Sequence, residues 1–222
     1  MRTKLYLAST EALRDEARFA RLLETVPDRR REKVLAFRLD SARRLSLGAG
    51  LLLSAALAAE GLKADEIRVT EYGKPYFPAL PDFHFSLSHS GERVLCAVSG
   101  KPVGCDIEAP GRYDPKIARR FFHPSESAWL FSLPEDEQPA AFLRLWTCKE
   151  SYVKALGLGL NQPLDSFTVQ PGEPTGLVQT ADERPWRLRS FTDGDDYACA
   201  LCGLAGVEDA PVQRVDFSEV SV

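Results

Sequence analysis

Val103-Gly104-Cys105-Asp106-Ile107-Glu108 and Trp146-Thr147-Cys148-Lys149-Glu150-Ser151-Tyr152-Val153-Lys154 decide how this chain is read. The first stretch alternates apolar and acidic residues. As a strand it sends Asp106 and Glu108 to one face and Ile107 to the other. The second reads as a helix, where Glu150 and Lys154 lie one turn apart on the same side. Each has an ordinary explanation: an acidic strand face turned to water, and a surface ion pair. Together, two strand carboxylates, a helix carboxylate and a neighbouring lysine make a seat for a hard divalent cation. Magnesium takes oxygen ligands and is normally shared with substrate phosphates, which points to phosphate chemistry.

Two upstream segments strengthen that reading. Tyr72-Gly73-Lys74-Pro75-Tyr76 is a turn in which Pro75 removes a backbone donor and Lys74 projects from a stiffened chain. Phe85-Ser86-Leu87-Ser88-His89-Ser90-Gly91 ends an alternating run with hydroxyl and imidazole donors. Small donors followed by glycine suit close approach to an anionic oxygen. Taken alone, each is ordinary turn composition.

In this order and spacing, across residues 72 to 157, the four segments resemble the 4′-phosphopantetheinyl transferases of the long, surfactin-synthetase-activating (Sfp-like) type. The family pattern has Tyr-Gly-Lys-Pro, Phe-x-x-Ser-His-Ser, Gly-x-Asp-x-Glu and Trp-x-x-Lys-Glu-x-x-x-Lys stretches, and each is present. Ser86 departs from it, since many relatives carry Asn there. Arg31-Glu32-Lys33 and Pro163-Leu164-Asp165-Ser166-Phe167 extend the likeness more weakly.

The resemblance implies an α+β fold built as a pseudo-twofold pair of similar α/β lobes with the active site between them. The lobes are expected at 1–102, with coenzyme A phosphate and adenosine contacts, and at 103–222, with the metal and the catalytic carboxylates. It implies transfer of the 4′-phosphopantetheine arm of coenzyme A to a serine of an apo acyl or peptidyl carrier protein, releasing 3′,5′-ADP. Asp106, Glu108 and Glu150 are then the expected magnesium ligands. Glu150 is the expected base for the serine proton, with Glu126 orienting water or sharing that role. Lys154 would neutralise or protonate the departing oxygen. Lys74, Ser88, His89 and Lys149 are expected on the cofactor phosphates, and Arg30, Lys33 and Arg44 at the 3′-phosphate and adenosine end. Phe121, Phe122, Trp129 and Leu130 are candidates for receiving the carrier.

Composition agrees with this. A chain of 222 residues buries a sizeable core, as one large domain or two small lobes. Its net charge of −4 does not suit a nucleic-acid or acidic-membrane partner. No secretory pattern follows Met1-Arg2-Thr3-Lys4, and the apolar stretch Leu45 to Ala59 is shorter than the ~20 residues of a spanning helix. A monomeric cytoplasmic protein is expected. The five cysteines show no disulfide framework. Cys199-Ala200-Leu201-Cys202 reads as a buried strand of small apolar residues, not a metal pair.

Periodicity places a strand at Lys4–Ala8 and helices at Glu11–Leu23, Asp28–Phe37 and Ser41–Gly61. Strands follow at Ile67–Val69, Phe83–Leu87 and Val94–Val98. After residue 103 come helices at Pro115–Phe122, Pro124–Leu133 and Glu137–Leu156. Strands at Phe167–Val169, Trp186–Ser190 and Tyr197–Leu201 complete the reading. Helices followed by strands thus occur twice, without a visible sequence repeat. Two other functions fit the same motifs: a coenzyme A-binding module without catalysis, and a magnesium-dependent pyrophosphate hydrolase. The intact set of carboxylates and lysines argues against the first. Turnover with water alone distinguishes the second.

Overall fold

In a computed structural model that describes residues 1–63, 66–170, 175–179, 182–194 and 196–220, the chain opens with β1 (Lys4–Ser9) and a short 3-10 turn. Asp15 then caps α1 (Glu16–Leu23), its carboxylate accepting from the Arg18 N–H at 2.7 Å. There follow α2 (Asp28–Ala36) and α3 (Asp40–Ala59), the latter closed off by Gly61 at φ +66°. A small hairpin, β2 (Arg68–Val69) and β3 (Pro75–Tyr76), turns at Gly73, whose φ is +84°. A larger one joins β4 (His84–Ser90) to β5 (Arg93–Ser99).

The second half begins with β6 (Val103–Glu108). Asp114 caps α4 (Pro115–Phe121), and His123 caps α5 (Pro124–Ser132) in a box completed by Glu126. Next comes α6 (Gln138–Leu156), which Gly157 ends in the left-handed conformation at φ +76°. Then follow β7 (Phe167–Gln170), β8 (Gly176–Gln179), β9 (Arg187–Asp193), β10 (Tyr197–Gly203) and β11 (Val212–Arg214).

The two halves share one topology. In the first, β1 leads to the long helix α3 and then to the β4–β5 hairpin, with β5 returning antiparallel to β1. In the second, β6 leads to the long helix α6 and then to β9–β10, with β10 returning antiparallel to β6. Strand alternation sets the layers. Tyr6, Val94, Cys96 and Val98 point to α3, while Leu5, Leu7, Leu95 and Ala97 point the opposite way. There they meet Val103, Cys105, Ile107, Cys199 and Leu201, and Ala200 and Cys202 turn to α6. The order is helix, sheet, sheet, helix, with an apolar core shared by both sheets.

Most of the expected elements are present, with boundaries shifted by a few residues. The two- to four-residue strands β3, β8 and β11 carry too little alternation to be legible. β11 also departs from a division at 102/103, because it pairs in parallel with the outer edge of β1 in the first sheet. That pairing covers an otherwise open strand edge. Among the described residues α3 alone is long and apolar enough to cross a membrane, yet 56% of its apolar window is buried inside the protein. It is the core helix of the first half. The five cysteines are all buried and unbridged.

A shared inner core makes the halves one unfolding unit. Leu5 belongs to the first half and is 0% exposed, and Leu5→Ala should cost roughly 2–5 kcal/mol. All tryptophans, Trp129, Trp146 and Trp186, lie in the second half. The tryptophan-fluorescence transition in urea is expected to move with the circular-dichroism transition. A fluorescence midpoint unaffected by Leu5→Ala would show that the halves unfold separately.

Candidate active site

The site begins where α6 crosses β6. A Cβ on Gly104 would stand 2.0 Å from the Ser151 carbonyl oxygen and 2.3 Å from the Ala155 nitrogen, so only hydrogen fits. This approach brings the α6 side chains down onto the acidic strand. Lys154 Nζ donates to Asp106 Oδ1 at 2.6 Å and to Ser88 Oγ at 3.0 Å. The other Asp106 oxygen, Oδ2, is buried without a hydrogen-bond partner. Burial pushes the Asp106 pKa up against the opposing pull of Lys154 and Ser88. Burial also works to lower that of Lys154, but Asp106 and its other neighbours outweigh it, so Lys154 keeps its proton more firmly than usual. Glu150 is raised as well, by burial first and then by repulsion from Asp106 and Glu108.

β4 holds the open edge of β6 through alternate serines. Ser86 Oγ accepts from the Cys105 N–H at 3.1 Å. Ser88 Oγ donates to Asp106 Oδ1 at 2.6 Å. Ser90 Oγ donates to Glu108 Oε2 at 2.7 Å and accepts from the Ala109 N–H at 3.1 Å. Sequence reasoning named Ser90 among the donors without assigning it Glu108 and gave Ser86 no role, although the period-2 spacing of Ser86, Ser88 and Ser90 was the available signal. It also missed Arg112, which donates to Glu108 Oε2 at 2.9 Å.

A cleft of about 710 Å³ runs between the halves, with Asp106, Glu108, Glu150, Lys154, Ser88, His89, Arg30 and Lys33 on its walls. Its walls thus carry both carboxylates and basic groups. Arg30 is packed over Gly50, where an added Cβ would lie 3.0 Å from Arg30 Cγ. Burial lowers the pKa of Arg30, and burial, Arg30 and Arg29 together lower that of Lys33. His89 is lowered by desolvation, then by Lys154 and Lys33. Positive groups pressed together in this way favour an anion between them. The cleft opens beside Glu150 and Lys154 into a second chamber of about 660 Å³, whose walls include Tyr72, Phe121, Trp146 and Val153.

Some expected site residues lie elsewhere. Arg44 is half-buried and does not line the cleft. Glu126 and Lys149 are 1% and 0% exposed and pair with each other at 2.8 Å, away from solvent. Glu126 also accepts from the backbone N–H groups of His123 and Val169, at 2.9 and 2.6 Å. Lys149 Nζ donates to the carbonyls of Leu164 and Phe167 at 2.7 and 2.8 Å. Fully committed, the pair ties α5, α6 and β7 together and reaches neither water nor phosphate. Leaving one partner alone in such a place typically costs roughly 3–5 kcal/mol.

Lys74 is likewise committed, to the carbonyls of Val103, Lys154 and Ala155 at 3.1, 2.7 and 3.0 Å. In this arrangement it does not clasp a phosphate. Ser88 lines the cleft, but its hydroxyl serves Asp106 and Lys154. Of the carrier-docking candidates, Phe122 and Leu130 are core residues, 3% and 0% exposed, whereas Phe121 is 40% exposed.

Among the described residues no group of three or more His, Cys, Asp or Glu side chains is arranged as a ready-made metal site. The Lys154 ammonium lies on Asp106, and the Arg112 guanidinium on Glu108. The donor chemistry nonetheless fits magnesium. Asp106 Oδ2 is an orphaned buried carboxylate oxygen, and magnesium needs only one or two protein carboxylates beside phosphate and water.

Comparison with known proteins shows the family. The family model of the 4′-phosphopantetheinyl transferase superfamily matches residues 102–202, which span β6 to β10. A 4′-phosphopantetheinyl transferase of Bacillus subtilis is 41% identical over 189 residues, covering 82% of this chain and 84% of its own. The 4′-phosphopantetheinyl transferase Sfp of Bacillus subtilis strain 168 is 37% identical over 207 residues, with 90% and 92% covered. Among solved structures, a Thermotoga maritima holo-[acyl-carrier-protein] synthase matches 46% of this chain and 62% of its own, with TM-score 0.40 and 24% identity. The chain belongs to the 4′-phosphopantetheinyl transferase superfamily and is an enzyme of that class.

The half-buried lysine on the seam, Lys74, has a pH signature. Burial lowers the Lys74 pKa from the usual 10.5 to about 8. The unfolded chain therefore holds this proton to higher pH than the folded one, so the Lys74 contribution to stability rises between about pH 8 and 10.5 and is lost as pH falls through 8. The urea midpoint of the protein, measured against Lys74→Met, is expected to improve from pH 7 to pH 10. A difference that stays flat contradicts it.

Proposed function

We propose that this enzyme moves the 4′-phosphopantetheine arm of coenzyme A onto a serine hydroxyl of an apo acyl or peptidyl carrier protein and releases 3′,5′-ADP. The observation that carries the reading is the orphaned Asp106 Oδ2 in a cleft that also holds Lys154, Arg30, Lys33 and His89. A pyrophosphate with a further phosphate on the same molecule suits a cleft that combines carboxylates for a cation with several basic groups. Arg30, Lys33 and His89 receive the 3′-phosphate.

Asp106, Glu108 and Glu150 would hold magnesium at the pyrophosphate. When bound, the ion neutralises phosphate charge and helps to orient the pyrophosphate. The serine Oγ forms a bond to the β-phosphorus as the bond from that phosphorus to the bridging oxygen breaks. Glu150, which lines the cleft beside Lys154, accepts the serine proton. Lys154, charged and fixed by Asp106, faces the departing oxygen and stabilises the negative charge that grows there. Both walls come from one chain, which supports a monomer as the working unit.

Intact-mass spectrometry of an apo carrier protein incubated with the enzyme, coenzyme A and magnesium tests this. The carrier is expected to gain the mass of one phosphopantetheine arm, and the gain should vanish with EDTA or in Asp106→Ala. No gain on either an acyl or a peptidyl carrier would overturn the reading. Hydrolysis of coenzyme A without a carrier would replace it with the pyrophosphate hydrolase.

A further inference from the structure

We propose that Lys74 is a positioning residue, stapling the last turn of α6 to the start of β6 and so setting where Lys154 meets Asp106. The turn that presents it is well braced. Gly73 N–H donates to the Thr70 carbonyl at 2.9 Å, Thr70 N–H to the Lys74 carbonyl at 2.9 Å, and Lys74 N–H to Thr70 Oγ1 at 3.1 Å. From this hairpin, in the first half of the chain, the side chain crosses to the second half. Its ammonium takes the carbonyls of Lys154 and Ala155 from α6, and that of Val103 from β6.

The last carbonyls of a helix lack partners within it and favour a cation. Here one cation binds them and the neighbouring strand together. The chain is shaped to admit it. A Cβ on Gly157 would come within 2.8 Å of Lys74 Cδ, and one on Gly159 within 3.2 Å of the Tyr72 carbonyl oxygen. One acceptor is the carbonyl of Lys154, the residue whose side chain grips Asp106 at 2.6 Å. The staple therefore acts on the backbone of a catalytic side chain, at the point where Gly104 has brought helix and strand together. Holding a charged amine there has an energetic cost at neutral pH, because the site is desolvated and Arg184 adds repulsion. What the contact supplies is geometry.

A double-mutant cycle tests the assignment, and its kinetic arm rests on the transferase reading. Lys74→Met is expected to lower kcat/KM by roughly 10-fold or more, Lys154→Met by more, and the double variant to match Lys154→Met within about 2-fold. Losses that multiply would mean that Lys74 touches substrate itself, and an unchanged rate in Lys74→Met would mean that the staple is idle. Either overturns the proposal. Should Lys74→Met not fold, Lys74→Gln carries the same cycle with two N–H donors on a shorter stem. Amide exchange supplies an arm independent of activity. Residues 153–157 should exchange at least about 10-fold faster in the variant, while residues 142–147 stay protected. Unaltered exchange at 153–157 overturns the staple even if the enzyme transfers nothing.

Discussion

The contact between Gly104 and the last turns of α6 is the constraint on which the site depends. Any side chain at 104 would overlap the backbone of Ser151 and Ala155. With hydrogen alone there, the helix settles close to β6, and residues one turn apart on α6 fall beside residues two apart on the strand. Asp106 thereby acquires Lys154 on one oxygen and keeps the other free within the protein. Glu150 and Glu108 stand near enough to Asp106 for its charge to act on Glu150, and Glu150 feels both. A cluster of carboxylates with one lysine, gathered round the buried Asp106, is costly in isolation. It makes sense as a place kept ready for the charge of a pyrophosphate and its counterion.

The rest of the architecture keeps that contact in register. Ser86, Ser88 and Ser90 clasp the open edge of β6 from the other half of the molecule. The buried Glu126–Lys149 pair ties α6 to α5 and to β7 from behind. The cleft is thus held on a frame made of both halves, with the shared core of Leu5, Leu95, Cys105 and Leu201 between the sheets. Rigid support of this kind suits chemistry in which positioning and electrostatics carry most of the rate.

Much of this was legible in the sequence. Alternation in residues 103–108 gave the acidic strand, and helical spacing paired Glu150 with Lys154. Both readings depend on local periodicity, which sequence records directly. Lys74, Lys149 and Glu126 show where such reading stops. Lys74 and Lys149 stand in stretches whose neighbours line the cleft, and a charged residue there looks like a ligand for phosphate or metal, as Glu126 does beside the family motifs. Whether its charge faces the cleft or the interior depends on carbonyls and side chains far away in sequence. Lys149 turns inward to Leu164 and Phe167, and Lys74 reaches across the seam to Val103, Lys154 and Ala155. The basic groups were partly readable. Arg30 and Lys33 line the cleft while Arg44 does not, because a run of arginines does not reveal which of them faces inward.

The role of Gly104 is read from the rate of phosphopantetheine transfer by Gly104→Ala. The added methyl must push α6 away from β6 and part Lys154 and Glu150 from Asp106. A displacement near 1 Å at a catalytic centre costs about 100-fold in rate, and a loss of at least that size is expected. A rate within about 3-fold of the parent enzyme would contradict the account, because the close approach of helix and strand would then not be what builds the site.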